Sequence, residues 1–208
     1  MRIDRFAVRD FKNLSDVALE FDASRMETVI IGQNGTGKSN VLEALATIFR
    51  DLDDGRRETE FSYQLEYRCK GHTVQIDHRY SDSDRVTVVF DGVPGSINAL
   101  RKHDSDYLPN HVFGYYSGES DRLRRIFDAP QKRFYDAAIE AGADEELDPR
   151  TSELRRLFYV RERYGALALL TYFAFPDEEA QGFLKRHLGV GRFDFLGRGY
   201  LPQQAQPQ

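Results

Sequence analysis

The chain has 208 residues, 40% apolar and 12% aromatic, which suffices for one ordinary core or a main domain with a small subdomain and excludes a disordered chain. Its single cysteine, Cys69, excludes disulfide staples and a cysteine-based metal site, fits a reducing cytoplasm, and reads as a half-buried strand residue. A net charge of −5 argues against a surface that grips nucleic acid everywhere by counterion release, and neither a membrane-spanning apolar run nor an apolar segment behind Met1 supports spanning or secretion.

Ile3, Phe6 and Val8 alternate with charges, and Val17, Leu19 and Phe21 alternate likewise, which predicts two antiparallel strands joined near Lys12, Asn13, Leu14 and Ser15. Thr28, Val29, Ile30 and Ile31 form a short apolar run fit for a buried third strand, and residues 41–49 carry apolar side chains at helical spacing. Between strand and helix, Gly32 to Ser39 reads Gly-Gln-Asn-Gly-Thr-Gly-Lys-Ser, a complete G-x-x-x-x-G-K-[ST] phosphate-binding loop. Small P-loop kinases generally begin with the phosphate-loop strand. Here a sheet-forming segment comes first.

The residue types fit the chemistry. Gly32, Gly35 and Gly37 let the backbone curl so that successive N–H groups point at phosphate oxygens, and the following helix offers its positive N-terminus to the same anion. Lys38 would reach the β and γ phosphates, and Ser39 would give its hydroxyl to Mg²⁺. The bland alternative is a glycine-rich helix cap.

Asp51 to Gly55 reads as a turn, and residues 61–69, 73–80 and 86–90 as an antiparallel meander. Ser96 is placed to cap a short helix through Arg101, and residues 111–116 suit a return strand into the main sheet. Ser120 or Asp121 is placed to cap a helix through Phe127, with Pro130 interrupting before a second stretch over 131–141. Residues 140–149 form an acidic linker, and residues 152–175 read as a helix that becomes apolar all round from Ala166 and drives into the interior. Pro176 stops it, Asp177, Glu178 and Glu179 suit the first turn of another helix, and Gly189 to Gly191 ends that one. Residues 197–208, rich in Gly, Pro and Gln, read as a frayed tail or as the point where a longer protein was cut.

The loop with its next residue, Gly32 to Asn40, resembles the GxNGxGKSN of the RecF, SMC and OLD-like branch of ABC-type ATPases. Asp10, Phe11, Lys12, Asn13 and Leu14 resemble the turn that this branch carries between its first two strands. The resemblance implies an α/β fold: the N-terminal lobe of a P-loop NTPase head of ABC type, with a mixed central sheet, an antiparallel β-subdomain and a C-terminal helical region. The corresponding boundaries are 1–120 for the lobe, about 57–92 for the β-subdomain within it, and 121–196 for the helices. It implies ATP and Mg²⁺ held by Gly32, Gln33, Asn34, Gly35, Thr36, Gly37, Lys38, Ser39 and Asn40, with Lys38 catalytic and Ser39 on the metal. Asn34 would face the phosphates across a head-to-head dimer, and Lys12 or Asn13 would lie near the nucleotide. Residues 113–120 further resemble AAA-family ATPases of bacterial restriction and anti-phage defence, whose heads dimerise and work with a nuclease, fused or separate. The implied partners are therefore a second head, DNA, and a nuclease or other effector.

Hydrolysis in such heads also needs an apolar strand ending in Asp-Glu, a signature loop and a switch histidine. Val88, Val89, Phe90 and Asp91 have the shape of that strand, but Gly92 follows and an Asp-Gly turn at the meander's end is the plainer reading. Residues 172–178 read as a helix stop and restart, and Tyr116, Ser117, Gly118 and Glu119 as a loop. Residues 115–117 would take the metal-sensing Q-loop position, where no glutamine stands and Ser117 and Glu119 are the candidates. The chain is thus expected to bind ATP weakly and hydrolyse it poorly alone. The basic clusters Arg122, Arg124, Arg125, Lys132, Arg133 and Arg150, Arg155, Arg156, Arg161, Arg163 are interleaved with acids and read as solvated faces, with DNA contact the functional alternative. His72 and His78 read as strand-surface residues, and the histidines show no metal spacing. A small-molecule kinase, a non-hydrolysing regulatory fragment and, through the D-x-x-G of Asp194 to Gly197, a GTPase remain as competing classes.

Overall fold

The computed structural model describes residues 1–54, 59–80, 85–102, 105–140, 156–174 and 177–189. Strands β1 (Arg2–Phe11) and β2 (Leu14–Glu20) form a hairpin in which Phe11 faces Leu14, so Lys12 and Asn13 make the turn and Lys12 takes φ +55°. The meander follows as β3 (Ser62–Cys69), β4 (His72–Arg79), β5 (Arg85–Phe90) and the short β6 (Val93–Gly95). Its turns Lys70-Gly71 and Asp91-Gly92 have positive φ at both residues, the condition for a two-residue type I′ hairpin whose twist matches its strands. Asp91 is thus a hairpin corner. Hydrogen bonds from His72 and from the Thr73 N–H hold its carboxyl below the usual carboxylate range.

The lead hairpin and the meander are one sheet. β3 pairs antiparallel with β1, giving the order β2-β1-β3-β4-β5-β6. Alternate residues Tyr63, Leu65, Tyr67 and Cys69 of β3, with Phe6, Val8, Val74 and Ile76, face one core with Val41, Ala44, Ile48, Phe49 and Leu52 of helix α1 (Lys38–Asp54). Cys69 is buried outright, and burial pushes its thiol up, which makes it inert. Tyr67 is fully buried, and its hydroxyl donates to the Tyr107 carbonyl at 2.9 Å. Tyr67→Phe should therefore lower unfolding free energy by about 1–2 kcal/mol, since a buried acceptor loses its donor, with an unchanged slope in a urea titration.

The opposite face of α1 meets a second cluster. Helix α2 (Ile97–Leu100) is capped by Ser96, as expected, its side chain accepting from the Asn98 N–H. Then β7 (Val112–Gly114) runs parallel to β8 (Leu157–Tyr159), and helix α3 (Arg122–Glu140) lies beside them. Leu123, Ile126 and Phe127 pack with Ala46, Leu157 and Tyr159. Asp53 and Asp54 sit at the negative end of α1, an unfavourable place for acids, and Arg156 at 2.7 Å and Arg133 at 3.2 Å neutralise them. The chain separates into two units, Met1–Val160 and Arg161–Gln208, so α3 belongs with the phosphate loop's unit.

Several local expectations are corrected. Residues 28–31 pair with no strand among the described residues, and Val29 and Ile31 are 80% and 88% exposed. The return strand joins β8 in a two-stranded sheet rather than the main one. α1 runs through the expected turn to Asp54, because Asp51 is buried and accepts from Arg50 and Thr59. α3 continues past Pro130, which removes one helical hydrogen bond without breaking the helix. Of the expected helix over 152–175, the described part begins at Glu162, since β8 takes 157–159. His78 is buried, its Nδ1–H donating to the Phe61 carbonyl at 2.9 Å.

In the second unit, helix α4 (Glu162–Ala174) leaves Leu167 58% exposed rather than interior. Helix α5 (Glu178–Leu188) has acids in its first turn and Lys185, Arg186 and His187 in its last, and Gly189 at φ +66° ends it. Arg150, Arg155, the acidic linker over 141–149 and the segments over 190–208 lie outside the described residues, as does the D-x-x-G. No helix among the described residues is long and apolar enough to cross a membrane.

Candidate phosphate-binding site

The loop leads straight into α1, whose first residue is Lys38. Gly35 and Gly37 take φ of +87° and +96°, conformations that L side chains rarely adopt. At Gly37 space is also closed: a Cβ would stand 2.6 Å from Leu14 Cδ2 and 2.9 Å from Asn13 Oδ1. The β1–β2 turn thus presses on the loop from beneath. Asn13 Nδ2 donates to the Gly35 carbonyl at 2.8 Å, and Asn40 Nδ2 donates to Asn13 Oδ1 at 2.6 Å, so the turn and the first turn of α1 clamp the loop between them.

Lys38 Nζ donates to the Gly32 and Gln33 carbonyls at 2.7 and 2.6 Å, and Thr36 Oγ1 donates to Gln33 O at 2.8 Å. The ammonium closes the loop on itself and stands where an anion entering the cradle would meet it. A cavity of about 280 Å³ is lined by Asn13, Asn34, Gly35, Gly37, Lys38, Ser39, Asn40 and Arg122. All but Arg122 of these were expected around ATP; Arg122 was expected on a solvated face, with DNA contact as the alternative, and Gly32, Gln33 and Thr36 hydrogen-bond within the loop. Lys12 does not line the cavity; its ammonium pairs with Glu43 Oε2.

Glu43 is the residue the sequence reading missed. It is 4% exposed, one helical turn beyond Ser39 on the same face, and its other oxygen lies 3.6 Å from Arg122 Nε. The available signal was a carboxylate inside an otherwise apolar helical run. Beside it a smaller concavity is lined by Ser39, Leu42, Glu43, Tyr116, Ser120, Arg122 and Leu123, so the 115–120 loop does come to Ser39, through Tyr116 and Ser120. Ser117 and Glu119 are exposed and line neither cavity. Ser120 Oγ accepts from the Arg122 N–H at 3.4 Å, while the Asp121 carbonyl accepts the first bond of α3, from the Arg125 N–H.

The residues fit a nucleotide phosphate chain. The cradle is made of backbone that only glycine can supply, a lysine stands over it, and a 17-residue helix starts at it. For a divalent cation the chain offers the Ser39 hydroxyl. No cluster of three or more His, Cys, Asp or Glu with metal geometry exists among the described residues.

The profile of the family described as AAA ATPase domain matches residues 1–163. Among curated proteins the chain is similar to the DNA replication and repair protein RecF of Sodalis glossinidius (strain morsitans), 40% identical over 63 residues, 27% of this chain and 16% of that protein. Among solved structures it is similar to RecF in the recombination mediator RecF-ATP structure, at 19% identity and TM-score 0.36 over 93% of this chain and 47% of that one. It is also similar to an SMC ATPase, at 14% identity and TM-score 0.36 over 64% of this chain and 95% of that one. The matched region therefore spans under a fifth of the curated RecF relative's own length. With the family profile running from Met1 through β8 and the glycine cradle, lysine and helix in place, the chain belongs to the AAA ATPase domain family.

Proposed function

We propose that this chain is the nucleotide-binding lobe of an ATPase that couples ATP binding and head dimerisation to DNA. The observation that carries it is the loop itself: Gly37, denied a Cβ by Leu14 and Asn13, next to Lys38 bonded to the loop's own carbonyls. Positive φ at Gly35 and Gly37 shapes the backbone for oxyanions, and Lys38 supplies the charge. DNA as the coupled partner is supported by the similarity to a DNA replication and repair protein. Dimerisation rests on Asn34, exposed at the cavity's edge where the resemblance puts a partner head. A nuclease or anti-phage effector is the more distant extension, carried by the resemblance of residues 113–120 alone.

Poor hydrolysis by the chain alone is supported by two carboxylates among the described residues. Asp91 is committed to a hairpin turn, and Glu43, the carboxylate nearest Ser39 in the lining, is tied to Lys12 and Arg122. Neither is placed to orient a water on a γ-phosphate. Calorimetry of the 208-residue chain with ATP and Mg²⁺ should give binding heat, with phosphate release at the rate of the buffer. Steady-state turnover lost on Lys38→Ala would overturn the hydrolysis statement. No heat at millimolar ATP would overturn the binding statement.

A further inference from the structure

We propose that Arg122 is a ligand of the bound triphosphate at its γ end, parked on Glu43, Asn40 and Ser120 until nucleotide arrives. The proposal rests on the nucleotide-binding reading above and adds to it a residue from outside the glycine loop. Arg122 opens α3, far along the chain from the loop, yet its side chain reaches α1. Its Nη1 donates to Asn40 Oδ1 at 3.4 Å, its Nε donates to Ser120 Oγ at 3.1 Å, and Nε lies 3.6 Å from Glu43 Oε1.

The place along the phosphate chain follows from Ser39. Arg122 and Ser39 line both the cradle cavity and the concavity beside it. Ser39 would hold the cation that accompanies the terminal phosphates, and Arg122, lining the same cavities, would stand at that end of the chain.

Its present contacts are weak ones. Those to Asn40 and Glu43 are long, none is bidentate, and the side chain is 51% exposed. Neighbouring arginines are spent differently: Arg125 holds Asp121 at 2.9 Å, and Arg156, 12% exposed, holds Asp53 at 2.7 Å. A planar guanidinium gains more from two oxygens of a phosphate than from three glancing partners.

The buried Glu43 explains how the exchange is tolerated. A buried carboxylate beside an anion site is costly unless cations hold it. Lys12 takes one oxygen and Arg122 approaches the other, so the group carries one net positive charge toward the cavity. When Arg122 turns to phosphate, Lys12 stays, and Glu43 is left paired.

The test titrates the full 208-residue chain with ATP and with ADP, in Mg²⁺, by calorimetry, for wild type, Arg122→Gln, Arg122→Lys, Arg125→Gln and Lys38→Ala. Losing a charge-assisted contact to the γ-phosphate should weaken ATP by roughly 10- to 30-fold in Arg122→Gln and ADP by under about 3-fold. Arg122→Lys should recover part of the ATP affinity, and Arg125→Gln should match wild type. Equal ATP affinity in Arg122→Gln and wild type overturns the proposal. So does an equal loss for ATP and ADP, which would mean that Arg122 only steadies Glu43. If Arg122→Gln does not fold by circular dichroism, Arg122→Lys decides: its ATP-to-ADP preference must fall below that of wild type. Wild type binding neither nucleotide would instead defeat the nucleotide reading itself, a result separable from the others.

Discussion

Lys38→Ala is expected to weaken ATP binding about 100-fold, because a charge-assisted contact to a phosphate is worth roughly 1.5–3 kcal/mol and on the proposed reading this lysine would face two phosphates at once. Before nucleotide binds, Nζ already spends donors on the Gly32 and Gln33 carbonyls, at 2.7 and 2.6 Å. Those bonds hold the loop curled, so the variant loses both the charge and some of the preorganisation. The two parts separate experimentally. Lys38→Met keeps most of the stem and loses the ammonium, and Lys38→Arg keeps charge with a planar head that does not match a point-charge site. Both should bind ATP far less well than wild type in calorimetry, while thermal melting moves little, because the lysine's partners lie on the loop itself. Binding by Lys38→Ala within threefold of wild type would mean that the loop's amides hold the phosphates without it.

Which parts were legible in the sequence follows from how far apart the deciding residues lie. The glycine loop, the Asp91-Gly92 hairpin, the Ser96 cap and the Gly189 stop each depend on a few neighbours, and each stands where the residues put it. The meander through β5 was legible too, since the turn at Lys70-Gly71 connects strands that are next to each other in sequence, whereas residues 93–95, expected to end the meander, pair with β5 as β6. Pairings across distance were not. β3 lies against β1, and β7 finds β8 instead of the main sheet, and no periodicity announces either choice. The basic cluster opening α3 was legible as a solvated face where Arg124 and Arg125 meet Asp121 and Asp128 within one helix. Arg122 breaks that pattern because its partners are Asn40 and Glu43, on another helix. His78 misled for a related reason: alternation assigns a face, and which face becomes core is decided by what packs on it. Thr28 to Ile31 has a strand's composition, yet a strand also needs a neighbour, and none stands beside it among the described residues.

Gly37→Ala should be the most damaging single-methyl change in the loop, lowering unfolding free energy by about 3 kcal/mol and abolishing ATP binding with it. Two costs combine. At φ +96° a non-glycine residue carries strain of roughly 1–3 kcal/mol. The new methyl would also stand 2.6 Å from Leu14 Cδ2 and 2.9 Å from Asn13 Oδ1, so something must move. Leu14 is 2% exposed and is among the largest fully buried side chains, so shifting it disturbs the sheet's core at a further ~1–3 kcal/mol. Asn13 cannot yield freely either, because it donates to Gly35 and accepts from Asn40. Gly35→Ala isolates the first cost from the second. Its φ is +87°, but nothing lies within 4 Å of the added carbon, so only the backbone strain remains. Urea unfolding should therefore rank wild type above Gly35→Ala and Gly35→Ala above Gly37→Ala, with a gap of at least about 1 kcal/mol between the two variants. Equal stability of the two would mean that Leu14 and Asn13 do not press on the loop. The clamp between the first hairpin and the phosphate cradle would then be no part of what shapes the site.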